Sequence, residues 1–432
     1  MRRALIVLTA AVALWLAPGA LASGWCGTGE TNTDRPDAVT GAQIHVIVAT
    51  PSDSPDLFTA DANLLADDVA SMSAWWIGQD PTRVPRYDMA TFPGGTCLDI
   101  SYIRLSQPAA AYSGDSAFRA VANELSTNDG FADQFKDYVV YYDGPSVLED
   151  VCGTGAGEFD EGGYAIVWLN GCPGIGTDAI ETHELLHSLG ALPAGAPNAC
   201  TPATDPFGVA DSGHPCDSDS DVLYPLADGR PLSQQVLDFN HDDYYAHSGS
   251  WDDIQDTIFL SHLNTPQFPL AVTFSGLPGL VTSDLPGVSC TTSCTTQWDQ
   301  GAMVTLAPSP GDNSRFLNWT GACVGKADCS LTLNQATAVN AVFGPLKIAV
   351  KLSETGKGAV KCLPACSSHF SAGDPLTLRA VPATGWKFVS LGGACKGTRL
   401  TCSPTTDFAF AVHANFKKLP PVKKKQKKRK KH

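Results

Sequence analysis

His183-Glu184-Leu185-Leu186-His187 constrains this chain more than any other stretch. Two imidazoles four residues apart stand one above the other on a single face of a helix. Both can then bind one Zn²⁺, and the adjacent Glu184 can reach a water activated there. With 10 His and 8 Glu in 432 residues, chance writes this pattern roughly 0.004 times, so it is read as chemistry rather than as two surface histidines. The flanks specify the helix. A glycine-rich turn, residues 171–176, leads into Asp178 and Glu181, whose spacing predicts a capping box. Ile180, Leu186 and Leu189 form the expected buried side, and Gly190 is a natural terminator. Pro193 and Pro197 keep the helix from resuming. Upstream, residues 164–170 read as a strand.

The series His183, His187, Gly190 resembles the metzincin metallopeptidases, whose pattern is H-E-x-x-H-x-x-G-x-x-H. The resemblance implies a zincin-like α+β catalytic domain, with a mixed sheet flanked by helices. It also implies one catalytic Zn²⁺, with Glu184 as general base in peptide-bond hydrolysis. The third metzincin position is Pro193, which cannot coordinate. A glutamate from a later helix, as in thermolysin-like enzymes, is excluded, because no Glu lies between Glu184 and Glu354. The remaining candidates are His214, His241, His247 and several aspartates. The run from Gly213 to Pro225 resembles a His…Asp-Leu-Met-Tyr-Pro segment of actinobacterial metzincin-like secreted proteins. That resemblance favours His214 as third ligand and puts Leu223 where the methionine beneath the metal stands. Leu and Met are similar in volume and both apolar, so the floor can be kept. It further implies an insertion tied by a Cys200–Cys216 disulfide, and it leaves Tyr224 either as a hydrogen-bond donor to an oxyanion or as a turn-packing residue.

Asp217-x-Asp219-x-Asp221 is not an EF-hand, since Val222 and Asp228 stand where Gly and Glu are needed. The Asp-rich segment leaves room for a looser Ca²⁺ site. Residues 237–245 resemble another recurrent segment of the same group and are read as structural. His45, alone in an apolar run, is read as a satisfied core histidine.

Residues 1–22 read as a secretory signal: basic Arg2-Arg3, an apolar core from Ala4 to Leu16, and the small-residue site Ala20-Leu21-Ala22. No other run suggests a transmembrane span. All 14 Cys follow it, which fits disulfides in an exported chain. Pairing of Cys26 with Cys97 or another cysteine is favoured over a thiolate on the metal, and Cys323–Cys329 is a local candidate pair. Across residues 23–265, 37 acidic side chains stand against 7 basic ones, which disfavours nucleic acid as partner and favours cationic substrates or Ca²⁺. The last segment, 417–432, holds 10 basic and no acidic groups and is expected to be disordered. After export its expected partner is an anionic cell-envelope polymer or lipid headgroup.

Within 23–265, strands at residues 43–49, 98–105, 138–142 and 164–170 alternate with helices at 59–77 and 116–125, which predicts a mixed sheet flanked by helices. Beyond Pro266 two copies of one unit follow, 266–344 and 345–416. Cys290-x3-Cys294 returns as Cys362-x3-Cys366 after 72 residues, and Thr320-Gly-Ala-Cys323 returns as Gly392-Gly-Ala-Cys395 at the same offset. Short alternating runs predict two small all-β modules stapled by disulfides, and they resemble the divergent listerial-type B-repeats of bacterial surface proteins. The whole reads as a secreted zinc endopeptidase acting on protein or peptide, with the basic end expected to hold it at the cell envelope. The rival from another class is a catalytically inactive zincin-like adhesion or envelope-binding protein.

Overall fold

Gln43–Thr50 is buried along its whole length, as a strand inside a sheet covered on both faces must be. In the computed structural model this strand, β1, pairs in parallel with both β2 (Ile100–Arg104) and β3 (Lys136–Tyr142). The structure describes residues 25–146, 148, 151–192, 195–209, 211–363, 369–371 and 373–420. The expected signal segment, Pro193, Cys366 and the lysine run from 421 onward lie outside the described residues. By contacts the chain divides into two units, one from the N-terminus to Ala38 with Ala42–Asn264, the other Val39–Gly41 with Thr265 onward. Among the described residues no helix is long and apolar enough to cross a membrane.

In the first unit the sheet order is β2-β1-β3-β5-β4, with β4 at Gly153–Ala156 and β5 at Tyr164–Trp168. Only β4 runs antiparallel, against β5, so the sheet is mixed and β4 forms its edge. Helices α1 (Phe58–Gln79) and α3 (Thr177–Ser188) pack with Ile44, Val46 and Val48 of β1 on one face. Helix α2 (Ala117–Thr127) packs with Ile47 and Ala49 on the other. The period of two along β1 thus divides two cores. Leu185, Leu186 and Leu189 are fully buried, each contributing about 1.5–3 kcal/mol.

Strand β4 is not legible in the sequence. Its residues, Gly-Thr-Gly-Ala, carry no hydrophobic alternation to detect. The glycines are demanded by proximity to α3. A Cβ on Gly153 would fall 2.6 Å from Glu184 Oε1, and one on Gly155 would fall 2.8 Å from His187 Cβ. Gly155→Ala is therefore expected to destabilise the first unit by about 1–3 kcal/mol, through overpacking against the helix. Gly94, whose Cβ would meet nothing within 4 Å, is the control. Urea midpoints of the two variants check this.

His45 is buried, with Nδ1 2.8 Å from Asp88 Oδ2 and Nε2 3.0 Å from Ser101 Oγ, as a satisfied core histidine should be. Lys136 Nζ adds ion pairs to Asp34, Asp37 and Asp88 at 2.5–2.7 Å, which tie the N-terminal segment to the sheet.

The second unit is all β. Strand 267–276 runs parallel to 337–345, and 347–355 runs parallel to 410–418. The bulge between Phe316 and Asn318 returns between Phe388 and Ser390. The bridge Trp319 to Gly325 returns as Leu391 to Gly397. Each copy has its own small core, one around Trp319 and Phe343, the other around Leu391 and Phe416. Disulfides Cys290–Cys294 and Cys323–Cys329 staple the first copy, and Cys395–Cys402 the second. Such small cores need covalent staples to hold.

Candidate metal centre

Helix α3 begins differently from expectation. Its N-cap is Gly176, with no side-chain cap. Asp178 instead accepts from Ser71 Oγ at 2.7 Å, joining α3 to α1. Glu181 turns inward, accepting from Tyr87 Oη at 2.5 Å and contacting Tyr141 Oη at 2.8 Å. Tyr141 Oη also lies 2.7 Å from Asp68 Oδ2. One hydroxyl proton cannot serve two carboxylates, so one carboxyl holds a proton of its own. Burial pushes both carboxyls up, Glu181 to about 8 and Asp68 to about 6.

The helix ends as its sequence predicts. Gly190, at φ 86°, donates its N–H to His187 O, and Ala191 N donates to Leu186 O. These are the two bonds of a Schellman motif. Ser188 Oγ donates to Asp137 Oδ1 at 2.8 Å, fixing this end to β3. The helix is thereby held in rotation and translation, with His183 and His187 on its open side.

His214 arrives from a different element. It lies on strand Asp211–Pro215, which pairs antiparallel with Ala199–Cys200, and the Cys200–Cys216 disulfide closes that hairpin. The structure brings three Nε2 atoms together: His183 to His187 at 3.2 Å, His183 to His214 at 3.1 Å and His187 to His214 at 3.1 Å. Three imidazoles bound to one zinc at 2.0–2.1 Å, at tetrahedral angles, would stand about 3.3 Å apart. His183 Nδ1 donates to Val222 O at 2.7 Å, which fixes the proton on Nδ1 and leaves the Nε2 lone pair toward the centre. Burial and the two neighbouring rings hold His187 well below the usual imidazole range, so it is a neutral donor. The donor set fits Zn²⁺.

Glu184 lies beside this group in a cleft of about 670 Å³, lined also by Gly153, Ile180, Asp219, Tyr224 and Arg230. Burial pushes its carboxyl up to about 8, against a backbone N–H of Gly155 that favours the anion. A divalent cation at the three imidazoles would draw it back toward the carboxylate range. Leu223 is fully buried in the core under α3, and Tyr224 lines the cleft.

The other candidates are placed elsewhere. His241 Nδ1 faces Tyr245 O at 3.3 Å, and His247 packs on Trp251. Asp205 accepts the backbone N–H groups of Phe207 and Val209. Asp221 is buried, accepting from Leu223 N, Phe239 N and Tyr244 Oη, so it does not serve a calcium loop. Asp238 accepts the N–H groups of Tyr244 and Tyr245, so the 237–245 segment is a structural tie. Cys26 is bonded to Cys97, and Cys152 to Cys172. Replacing both Cys200 and Cys216 by Ser should release the hairpin that carries His214. For a loop of about 15 residues the lost constraint is about 3 kcal/mol, and zinc affinity should fall about tenfold or more. Zinc competition with a chromogenic chelator measures it.

The site thus defines a helix-borne three-histidine centre with an adjacent glutamate, in a chain whose C-terminal region is built of β repeats. Residues 283–346 and 348–420 each match the divergent InlB B-repeat domain family. The first match starts within the first copy rather than at Pro266. No curated protein matches the chain. Among solved structures, wild-type OgpA from Akkermansia muciniphila aligns at TM-score 0.28 and 11% identity over 88% of this chain and 97% of that one. Catalytically inactive OgpA in complex with an O-glycopeptide aligns at 0.26 and 12%, over 72% and 99%. GBS52, the minor pilin of Streptococcus agalactiae, aligns at 0.16 and 6%, over 37% and 100%.

Proposed function

We propose that the first unit is a zincin-like, metzincin-type zinc hydrolase that cleaves peptide bonds in proteins or peptides outside the cell. The observation that carries this reading is the convergence of His183, His187 and His214 Nε2 within 3.2 Å, beside Glu184 in one cleft. His183, His187 and His214 would hold the metal. A zinc ion so held would supply a Lewis acid to polarise the scissile carbonyl and acidify the attacking water. Glu184 takes a proton from that water at its carboxylate and passes it to the leaving amine. The Val222 carbonyl keeps the His183 ring in place through Nδ1. Tyr224, on the cleft wall, would either donate to an oxyanion or pack the turn.

A peptide substrate suits the part of the cleft lined by Gly153 of β4. β4 is a sheet edge running beside α3, and an extended chain can add to such an edge through main-chain hydrogen bonds. Six disulfides among the described residues support an exported protein. The lysine-rich end would then meet anionic envelope polymers, weakly at high salt, and the two B-repeats would act as spacers or adhesive modules.

Zinc content by elemental analysis, together with cleavage of a peptide library before and after chelation, tests the assignment. The expected result is one zinc per chain, with loss of both cleavage and thermal stability on chelation. At a hundredfold excess over Kd, bound metal contributes about 2.7 kcal/mol. Zinc without cleavage would favour the rival, an inactive zincin-like adhesion protein, to which the two repeats and the basic end are equally suited.

A further inference from the structure

A second polar cluster lies away from the histidines, at the carboxyl ends of β1 and β3. Thr50 is the last residue of β1 and Asp143 follows β3 directly. Asp143 N donates to Ala49 O, so the ladder continues through both. Ala49 pairs with Tyr142, which makes Thr50 and Asp143 cross-strand neighbours. Alternation puts both side chains on the α1 face, with Val48 and Tyr141 two residues before them. Asp61, in the first turn of α1, is buried with its carboxyl beside that of Asp143.

Three oxygens here are buried without a partner: Thr50 Oγ1, Asp61 Oδ2 and Asp143 Oδ2. The residues are 0%, 7% and 9% exposed. No Lys, Arg or His side chain among the described residues pairs with either aspartate. Burying a polar oxygen without a partner costs about 1–3 kcal/mol each, more for a charged one, and such groups call for an ion. A proton shared by the two carboxyls satisfies their facing oxygens and leaves the other two, with the hydroxyl, unserved. Asp56 adds a further negative charge near Asp61.

We propose that Thr50, Asp61 and Asp143 bind one Ca²⁺ ion, which fastens the start of α1 to the sheet. Two carboxylates and a hydroxyl are the hard oxygen donors that Ca²⁺ takes, with backbone carbonyls or waters completing six to eight ligands. The site stands or falls apart from the zinc reading, because it shares no residue with it.

The test uses the full chain with zinc in place. Calcium and magnesium are titrated by calorimetry, and Tb³⁺ luminescence sensitised by nearby aromatic rings reports occupancy. The parent is expected to bind one Ca²⁺ with Kd of about 10⁻⁴–10⁻³ M, as extracellular sites do, and to melt higher when it is bound. Asp61→Asn and Asp143→Asn should each weaken it at least about tenfold, and Thr50→Val by a smaller factor. Asp217→Asn, in the separate group formed with Asp242 and Asp243, should leave this binding unchanged. Both Asn variants relieve a buried like-charge pair, so they should fold without calcium. Thr50→Val carries the test if they do not. No heat or luminescence up to about 10 mM Ca²⁺ would overturn the proposal. So would equal affinity in parent and variants, Mg²⁺ binding tighter than Ca²⁺, or loss of binding in Asp217→Asn.

Discussion

Replacing Glu184 by Gln is expected to lower kcat/KM on a peptide substrate by a factor of about 10²–10⁴ while one zinc per chain stays bound. Gln has the shape of Glu, and its carbonyl oxygen can still accept the Gly155 N–H. What it cannot do is take a proton. The packing that orients α3 does not involve this group: Ser188 on Asp137, Asp178 on Ser71 and the bonds at Gly190 are untouched. The three imidazoles likewise stay where His183 is held by Val222 O and His214 by its hairpin. The other carboxylates on the cleft, Asp219, Asp221 and Asp228, do not replace it. Asp221 is fully engaged, and Asp219 and Asp228 pair with Arg230 at 3.5 and 3.0 Å. Elemental analysis alongside initial rates checks both halves of the expectation. A variant that cleaves as fast as the parent would remove Glu184 from the chemistry.

How far the fold could be read in advance depends on what each element asked of its side chains. Helix α3 was legible because one glycine and several leucines carry its end and its buried face locally. Its beginning was not. Asp178 and Glu181 have the spacing of a capping box, yet both are drawn off by residues distant in sequence, Ser71 for one and Tyr87 with Tyr141 for the other. Those contacts exist only once α1 and β3 are in place. Strand β4 was invisible for a different reason. It is selected for the absence of side chains, because Gly153 and Gly155 must lie against Glu184 and His187. Regular glycine spacing just ahead of a metal-helix strand is the signal that could have found it. The second unit was legible as a repeat, since its bulges and bridges recur with the cysteine spacing. His214 could not be chosen from His241 or His247 by composition or periodicity. It was favoured only by resemblance, since its position is set by a disulfide-closed hairpin and not by the helix it faces.

Replacing His214 by Ala is expected to raise the zinc dissociation constant by about 10²-fold or more and to abolish cleavage. Even the groups that merely orient a ligand are worth about 10–100-fold in affinity, and a ligand is worth at least as much. Two histidines on one helix leave zinc short of the three protein donors that catalytic sites use. The helix should be indifferent to the change, because Leu185, Leu186 and Leu189 keep its core face and the Cys200–Cys216 bond keeps the hairpin. Far-UV spectra and the urea midpoint of the metal-free protein should therefore match the parent. His241→Ala, His247→Ala and Asp205→Asn are the discriminating partners. His241 and His247 face Tyr245 O and Trp251, and Asp205 braces its own loop, so all three variants should retain zinc at parental affinity. If His214→Ala held zinc as tightly as the parent while one of these three lost it, the third donor would lie elsewhere. The meeting of three Nε2 atoms would then be a packing contact between neutral rings.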